Sequence, residues 1–242
     1  MNATIVRLTQ RSLLGRRRAL LLLALPFILI VLAVLVRAIQ GSDPDHAVIL
    51  LGGFGLSFLV PLLCLIAGTG AIGPEIDDGS IIYLLAKPLS RYTIVVSKLV
   101  TAIAVVTAFG ALPIPVSGFI TAGGRDRVAV GYALGALVAG IAYCALFLLL
   151  AIVTRNAVVV GLIYALIWEG VVGGFVPGAQ ALSIQQWALA ITKKVVGGRA
   201  GELDVTSAVD LPVAIILLVL LTAGSTIYAG YRLRSIRITT DE

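Results

Sequence analysis

The chain has 242 residues, of which 60% are hydrophobic and 12% charged, with a mean hydropathy of +1.09 and a net charge of +6. That composition excludes a soluble globular domain. The cations are scattered between apolar blocks and form no basic domain, which excludes a nucleic-acid partner.

Residues 1–18 are a basic lead-in in which Ile5, Leu8 and Leu13 are interleaved with arginines, a weak pattern for a short interfacial helix on the inner leaflet. A membrane-spanning helix needs about 20 predominantly apolar residues. Six stretches meet that demand: Ala19–Val36, Ala47–Ile72, Leu99–Ile120, Val128–Val153, Ala157–Val176 and Leu211–Tyr231. The first follows Arg16-Arg17-Arg18, but its 18 apolar residues exceed the usual 7–15 of a secretory signal, so it reads as a retained span. Blocks of this length also exclude an outer-membrane barrel, whose strands alternate over about 10 residues. The expected fold is an all-α integral membrane protein, one domain over 1–242 with six transmembrane helices.

Charge placement sets the expected orientation. The lead-in has Arg7, Arg11, Arg16, Arg17 and Arg18, and the segment after the second span has Lys87, Arg91 and Lys98. Arg155 and the tail residues Arg232, Arg234 and Arg237 share that side, giving twelve cations. Arg37, Arg125, Arg127, Lys193, Lys194 and Arg199 fall on the other side, giving six. The bias puts both termini in the cytoplasm and lets the basic side attract anionic lipid. Cys64 and Cys144 lie inside spans and read as small buried hydrophobes rather than a disulfide framework.

Segment 73–98 is the polar island of the chain: Gly73-Pro74-Glu75-Ile76-Asp77-Asp78-Gly79-Ser80, then Ile81, Ile82, Leu84 and Leu85, then Pro88, Ser90, Arg91 and Lys98. Its apolar set is too greasy for a free loop and suits an amphipathic helix laid into a partner's groove. On that reading Glu75, Asp77 and Asp78 stand near the N-terminus of this helix, where its dipole favours them, and Pro88 ends it. Alternatively the three carboxylates hold a divalent metal, as in a membrane-embedded enzyme acting on a diphosphate. Enzymes of that kind use two facing acidic clusters, and this chain has one. A metal site is therefore not expected, nor is any catalytic residue.

Pro113 and Pro115 are expected to kink the third span. Glu169 is the one ionisable side chain inside an expected span. Intramembrane carboxylates face bundle interiors or water-filled cavities, which makes Glu169 a candidate gate or path-lining group. Its position about two turns from the outer end of its span also allows solvation from outside. The spacings Gly131-x-x-x-Gly135 and Gly170-x-x-x-Gly174 allow close helix approach. Segment 177–210 is the long outer excursion, and its run Ala181–Ile191 reads as an interfacial or re-entrant helix, with Trp187 suited to the headgroup belt. No Gly-x-x-x-x-Gly-Lys-Ser/Thr loop occurs, so an ATP-driven process needs another polypeptide as its motor.

The island resembles the coupling loop of type-2 ABC permeases, through Glu75, Gly79, Leu84, Leu85, Pro88, Ser90, Arg91 and Lys98, with Ser80 where that family usually has Thr. Trp168-Glu169-Gly170 followed by Leu182-Ser183-Ile184 is similar to its bacterial members. The resemblance implies a permease subunit of an ATP-driven exporter in the bacterial inner membrane. Two copies would pair with two P-loop ATPase subunits, which would hold the ATP and Mg²⁺, while this chain binds no cofactor. Glu75, Asp77, Asp78, Gly79, Ser80, Leu84, Leu85, Pro88 and Arg91 would then form the ATPase-coupling element. A non-transporting scaffold subunit is a further reading, though a scaffold does not need this loop.

Overall fold

The computed structural model describes residues 3–81, 90–123, 127–173, 176 and 178–235, which form helices and turns with no strand among them. The helices are α1 (Ala3–Leu13), α2 (Arg16–Gln40), α3 (Pro44–Asp77), α4 (Arg91–Ala122) and α5 (Arg127–Val153). They continue as α6 (Ala157–Ile163, widening into a π-helical stretch Tyr164–Val172), α7 (Ile184–Val196) and α8 (Leu211–Ser235).

Among the described residues five helices are long and apolar enough to cross a membrane: α2 from Ala19 onward, α3, α4, α5 and α8. The chain is thus all-α and multi-pass. The expected fifth span is different. Its apolar helix covers only Ala157–Val171, 15 residues or about 23 Å at 1.5 Å per residue, short of the ~30 Å hydrocarbon core.

The neighbours of α5 show what completes the crossing. Phe147 of α5 meets Tyr164 of α6 edge-on at 6.1 Å, and Gly161 of α6 lies under the same phenyl ring. Further back along α5, Gly135 faces Ala188 and Thr192 of α7, and Gly131 faces Thr192 and Val196. Rising numbers on α6 and then α7 meet falling numbers on α5. Two half-length helices, both antiparallel to α5, therefore follow one another along it. The run containing Ala181–Ile191 thus packs along α5 as part of the bundle. Trp187 is buried by the chain itself, and its indole N–H donates to Ala181 O at 2.8 Å.

In its most apolar window α5 is 61% buried, against 17% for α8 and 22% for α2, which makes α5 the central post. The outer helices turn Phe27, Val219 and Leu220 outward, as expected where the solvent is hydrocarbon. Glycines let α3 approach the post: at Gly68 a Cβ would stand 2.9 Å from Phe147 Cβ and 3.2 Å from Cys144 O. The Gly131-x-x-x-Gly135 pair is likewise the seat of α7 on α5. Of the other pair, Gly170 has only Ala165 O within 4 Å, and Gly174 lies outside the described residues.

The third span carries its prolines by widening. Pro113 has no N–H to give Phe109 O, and the turn before it opens into a π-helical stretch, Thr107–Ala111, with Leu112 N bonded to Thr107 O at 3.0 Å.

Contacts at the two ends sort the basic residues. At the island end α1 packs on α3 and α4, burying Ile5, Thr9 and Leu13, with the Thr9 hydroxyl donating to Ile5 O. The lead-in is thus a well-formed helix with a buried face, held by protein as well as lipid. Tyr92 near the start of α4 lies against Gly230 of α8 and under the Arg234 guanidinium, 4.7 Å from its ring centre. At the opposite end Arg37 donates to Ile120 O at 2.6 Å and Asp43 N to Thr121 O at 3.1 Å. Arg91, Arg155, Arg232 and Arg234 thus share one end with α1, as charge placement predicts. Lys87, Arg125 and Arg237 lie outside the described residues.

Candidate functional site

The island begins differently from the sequence expectation. α3 does not stop at Ile72 but runs on through Pro74, so Glu75 and Asp77 occupy its last turn. They sit at the C-terminus of α3, where the dipole disfavours acids; the helix expected after them falls on residues 82–89, outside the described residues. The compensation for Glu75 is Lys98 of α4. This ammonium is wholly buried and donates to Glu75 Oε1 and to Ala71 O, both at 2.6 Å. The second bond adds a side-chain donor to a backbone carbonyl near the end of α3. The Glu75 side chain is 29% exposed, while its Oε2 is buried and has no hydrogen-bond partner among the described residues.

α3 is then terminated in two steps. Asp78 N bonds Pro74 O at 3.0 Å, and Gly79 follows at φ +73°, the left-handed conformation in which a side chain would be strained. Asp78 folds back on the next turn. The Ser80 hydroxyl and its N–H, the latter 3.0 Å from Asp78 Oδ1, hold this carboxyl below the usual carboxylate range. Gly79 and Ser80 are thus turn formers, which fits the Gly-Ser pattern without a catalytic role. Ile81 is buried by the chain itself, so it is not free to dock. Leu84, Leu85 and Pro88 lie outside the described residues.

Chain description resumes at Ser90, the N-cap of α4. Its Oγ accepts from Thr93 N at 3.1 Å and lies 2.7 Å from Thr93 Oγ1. Arg91 is the first residue of that helix. The island is therefore fastened on both sides: α3 and α4 are joined by Lys98, and each helix end carries its own cap. The Asp and Glu residues do not converge. Among the described residues no group of three His, Cys, Asp or Glu side chains could hold a metal ion.

Glu169 forms the second constellation. It is fully buried on the π-helical stretch of α6. Oε1 accepts from Tyr164 Oη at 2.8 Å and Ile184 N at 3.0 Å, and Oε2 from Ser183 Oγ at 2.5 Å and Gln185 N at 3.3 Å. Ser183 is the N-cap of α7, and its hydroxyl also accepts from Gln186 N at 3.3 Å. A carboxylate here meets free N–H groups and the positive end of a helix dipole, the standard anion site of a helix N-terminus. Around it Gln185 Nε2 donates to Ser57 Oγ of α3 at 2.6 Å. The buried Tyr143 hydroxyl of α5 has no hydrogen-bond partner among the described residues.

The depth of Glu169 also differs from the expectation. It is level with the inner end of α7, which runs 12 residues further to Val196, about 18 Å at 1.5 Å per residue. That is farther from the Val196 end than the two turns expected, and the side chain is fully buried. Glu169 is an internal cap whose partners come from its own chain, and its lone pairs are taken. The partner set was partly legible: Ser183-x-x-Gln186 is a helix-start signal. No sequence signal ties it to an acid 14 residues earlier.

A search among curated proteins returns no match. A family model described as "ABC-2 family transporter protein" matches residues 12–196, from the end of α1 to the end of α7. Its matched region holds both constellations, the Lys98–Glu75 junction and the capped half-helix. The chain belongs to this family and is a membrane permease component of an ABC transporter.

Proposed function

We propose that this chain is the membrane half of an ATP-driven exporter in the bacterial inner membrane. Two permease subunits, identical or related, sit on two P-loop ATPase subunits that bind ATP and Mg²⁺. The ATPases dock at the island end, on the cytoplasmic side, and substrate leaves between the permeases. Glu75, Asp77, Asp78, Gly79, Ser80, Leu84, Leu85, Pro88 and Arg91 belong to the coupling element, in which Leu84 and Leu85 are the docking contacts. Glu75, Gly79 and Ser80 shape the element rather than touch the motor.

One observation carries this reading: the buried Lys98 bond to Glu75 and Ala71, directly beside the island. A loop that merely connects two spans needs no such brace. A loop that is pushed does, because the brace makes α3 and α4 move together and turns a local displacement into a tilt of both spans.

The test co-purifies the tagged chain from its own cells, identifies the accompanying P-loop ATPase by mass spectrometry, and repeats this with Leu84→Asp. An unpaired charge in an interface costs several kcal/mol, more than tenfold in affinity. The expected result is an ATPase retained by the unaltered chain and depleted at least tenfold by Leu84→Asp, with membrane insertion unchanged. Equal recovery with full ATP hydrolysis in the variant overturns the role of the loop.

A further inference from the structure

We propose that a phospholipid binds in the cleft between α5, α7 and α8, with its phosphate on Lys193 and Lys194 and one acyl chain lying down the cleft. The residues are outside the island and the Glu169 constellation, and the inference does not rest on the export reading.

Three cavities join end to end along this face. The first, about 390 Å³, is the polar mouth, lined by Lys193, Lys194, Ser207 and Asp210. It shares Lys194 and Leu211 with the second, about 430 Å³, which has almost no polar wall. The second shares Val138, Leu218 and Val219 with the third, about 450 Å³, which runs on to Ile141 and Ile227 and is nearly as apolar. Along α8 the apolar part extends from Leu211 to Ile227, about 24 Å at 1.5 Å per residue. Half of a ~30 Å hydrocarbon core is about 15 Å, so the cleft holds the full depth of one leaflet's acyl chain and more.

Charge selects the occupant. Lys193 and Lys194 are both exposed, and neither makes an ion pair among the described residues. Asp210 is the one carboxylate lining the mouth, which leaves the mouth with one net positive charge. A phosphodiester meets both ammonium groups, while the apolar length below admits only hydrocarbon. A second copy of the chain is a poorer occupant, because it would have to bring an anion to this rim and a continuous apolar ridge beneath it. A free phosphate would leave the apolar cleft unfilled.

The experiment uses the full chain in lipid nanodiscs doped with phosphatidylglycerol bearing a mid-chain diazirine. After photolysis, labelled peptides are quantified by mass spectrometry. Two variants accompany it: Lys193→Glu/Lys194→Glu, which alters only exposed side chains, and Val219→Trp, which fills the waist from an exposed position. The expected result is labelling around Val138–Ile141 and Leu218–Ile227 at least fivefold above the equally exposed face of α2, reduced to that background by either variant. Equal labelling of α2 and α8 overturns the proposal, as does labelling that survives the double lysine change. Protection of the cleft in dimeric but not monomeric discs overturns it too, since a second copy would then be the occupant. A free-phosphate site is the outcome if inorganic phosphate abolishes the labelling.

Discussion

The ammonium of Lys98 is buried in full while its partner Glu75 keeps 29% of its side chain in contact with the surroundings. The two halves of this pair are therefore unequal, and removing one is not the mirror of removing the other. Glu75→Ala strands a charge in the interior with only Ala71 O to hold it, a loss of about 3–5 kcal/mol. Lys98→Met fills the same space with hydrocarbon and leaves a carboxylate that can reach water, so its cost is about 1 kcal/mol. Thermal unfolding of the detergent-solubilised chain is expected to rank Glu75→Ala well below Lys98→Met. The double variant should lie close to Lys98→Met. Equal losses from the two single changes would contradict the buried geometry.

Glu169→Ala frees Ser183 Oγ, Ile184 N and Gln185 N from their shared acceptor. Each buried group left without a partner costs about 1–3 kcal/mol. A marked fall in melting temperature is expected, together with faster thiol labelling of a cysteine placed at the exposed position Gly178. Glu169→Gln keeps one acceptor but turns an NH₂ toward donors, and should fall between. A variant Glu169→Ala as stable as the parent would mean that α7 is held without this cap.

The two glycine spacings should respond in opposite directions. A Cβ at Gly135 would collide with Thr192 Oγ1 and stand 3.1 Å from Ala188 O, and one at Gly131 would stand 3.0 Å from Val196 Cγ2 and 3.2 Å from Thr192 O. Gly135→Ala is expected to destabilise by loosening α7 from α5. Gly170→Ala meets only Ala165 O at 3.9 Å and gains roughly 1 kcal/mol in helix propensity, so it should be neutral or stabilising. Melting temperatures of the two variants, measured side by side, decide the point.

Orientation is tested by single cysteines at Ser90 and Gly198, both exposed and at opposite ends of the molecule. Ala200 would serve poorly, being only 3% exposed. A membrane-impermeant maleimide should label position 198 in intact cells and position 90 only after lysis. The reverse pattern would invert the topology.

Hydropathy alone located each of the five long apolar helices, with ends within eight residues of those observed, because burial in hydrocarbon requires that length of apolar chain. It misplaced what depends on partners far apart in sequence. The composition of Ala157–Val176 is that of a span, and nothing local reports that the helix yields near Gly173 to a second one beginning at Ile184. Glu75 was recognisable as belonging to the island. Its place on the last turn of α3 was not, since Gly73 and Pro74 read as helix breakers, and only the structure shows Lys98 tying Ala71 O before them to Glu75 after them. Glycines seated against α7 look the same in sequence as glycines that could form a seam between subunits.

Where the other long apolar helices run on without a break, widening at most into a π-helical stretch, the α6–α7 column is interrupted, and its two pieces are mated by a carboxylate in a socket of hydroxyls and amides. A rod bent at its middle must tear its own ladder open in oil; a ball in a socket need only turn. Movement arriving along α6 from the island end can therefore be spent as rotation about Glu169 while α7 stays fixed on the glycines of α5. Among the described residues, this column holds a joint that the five long helices lack.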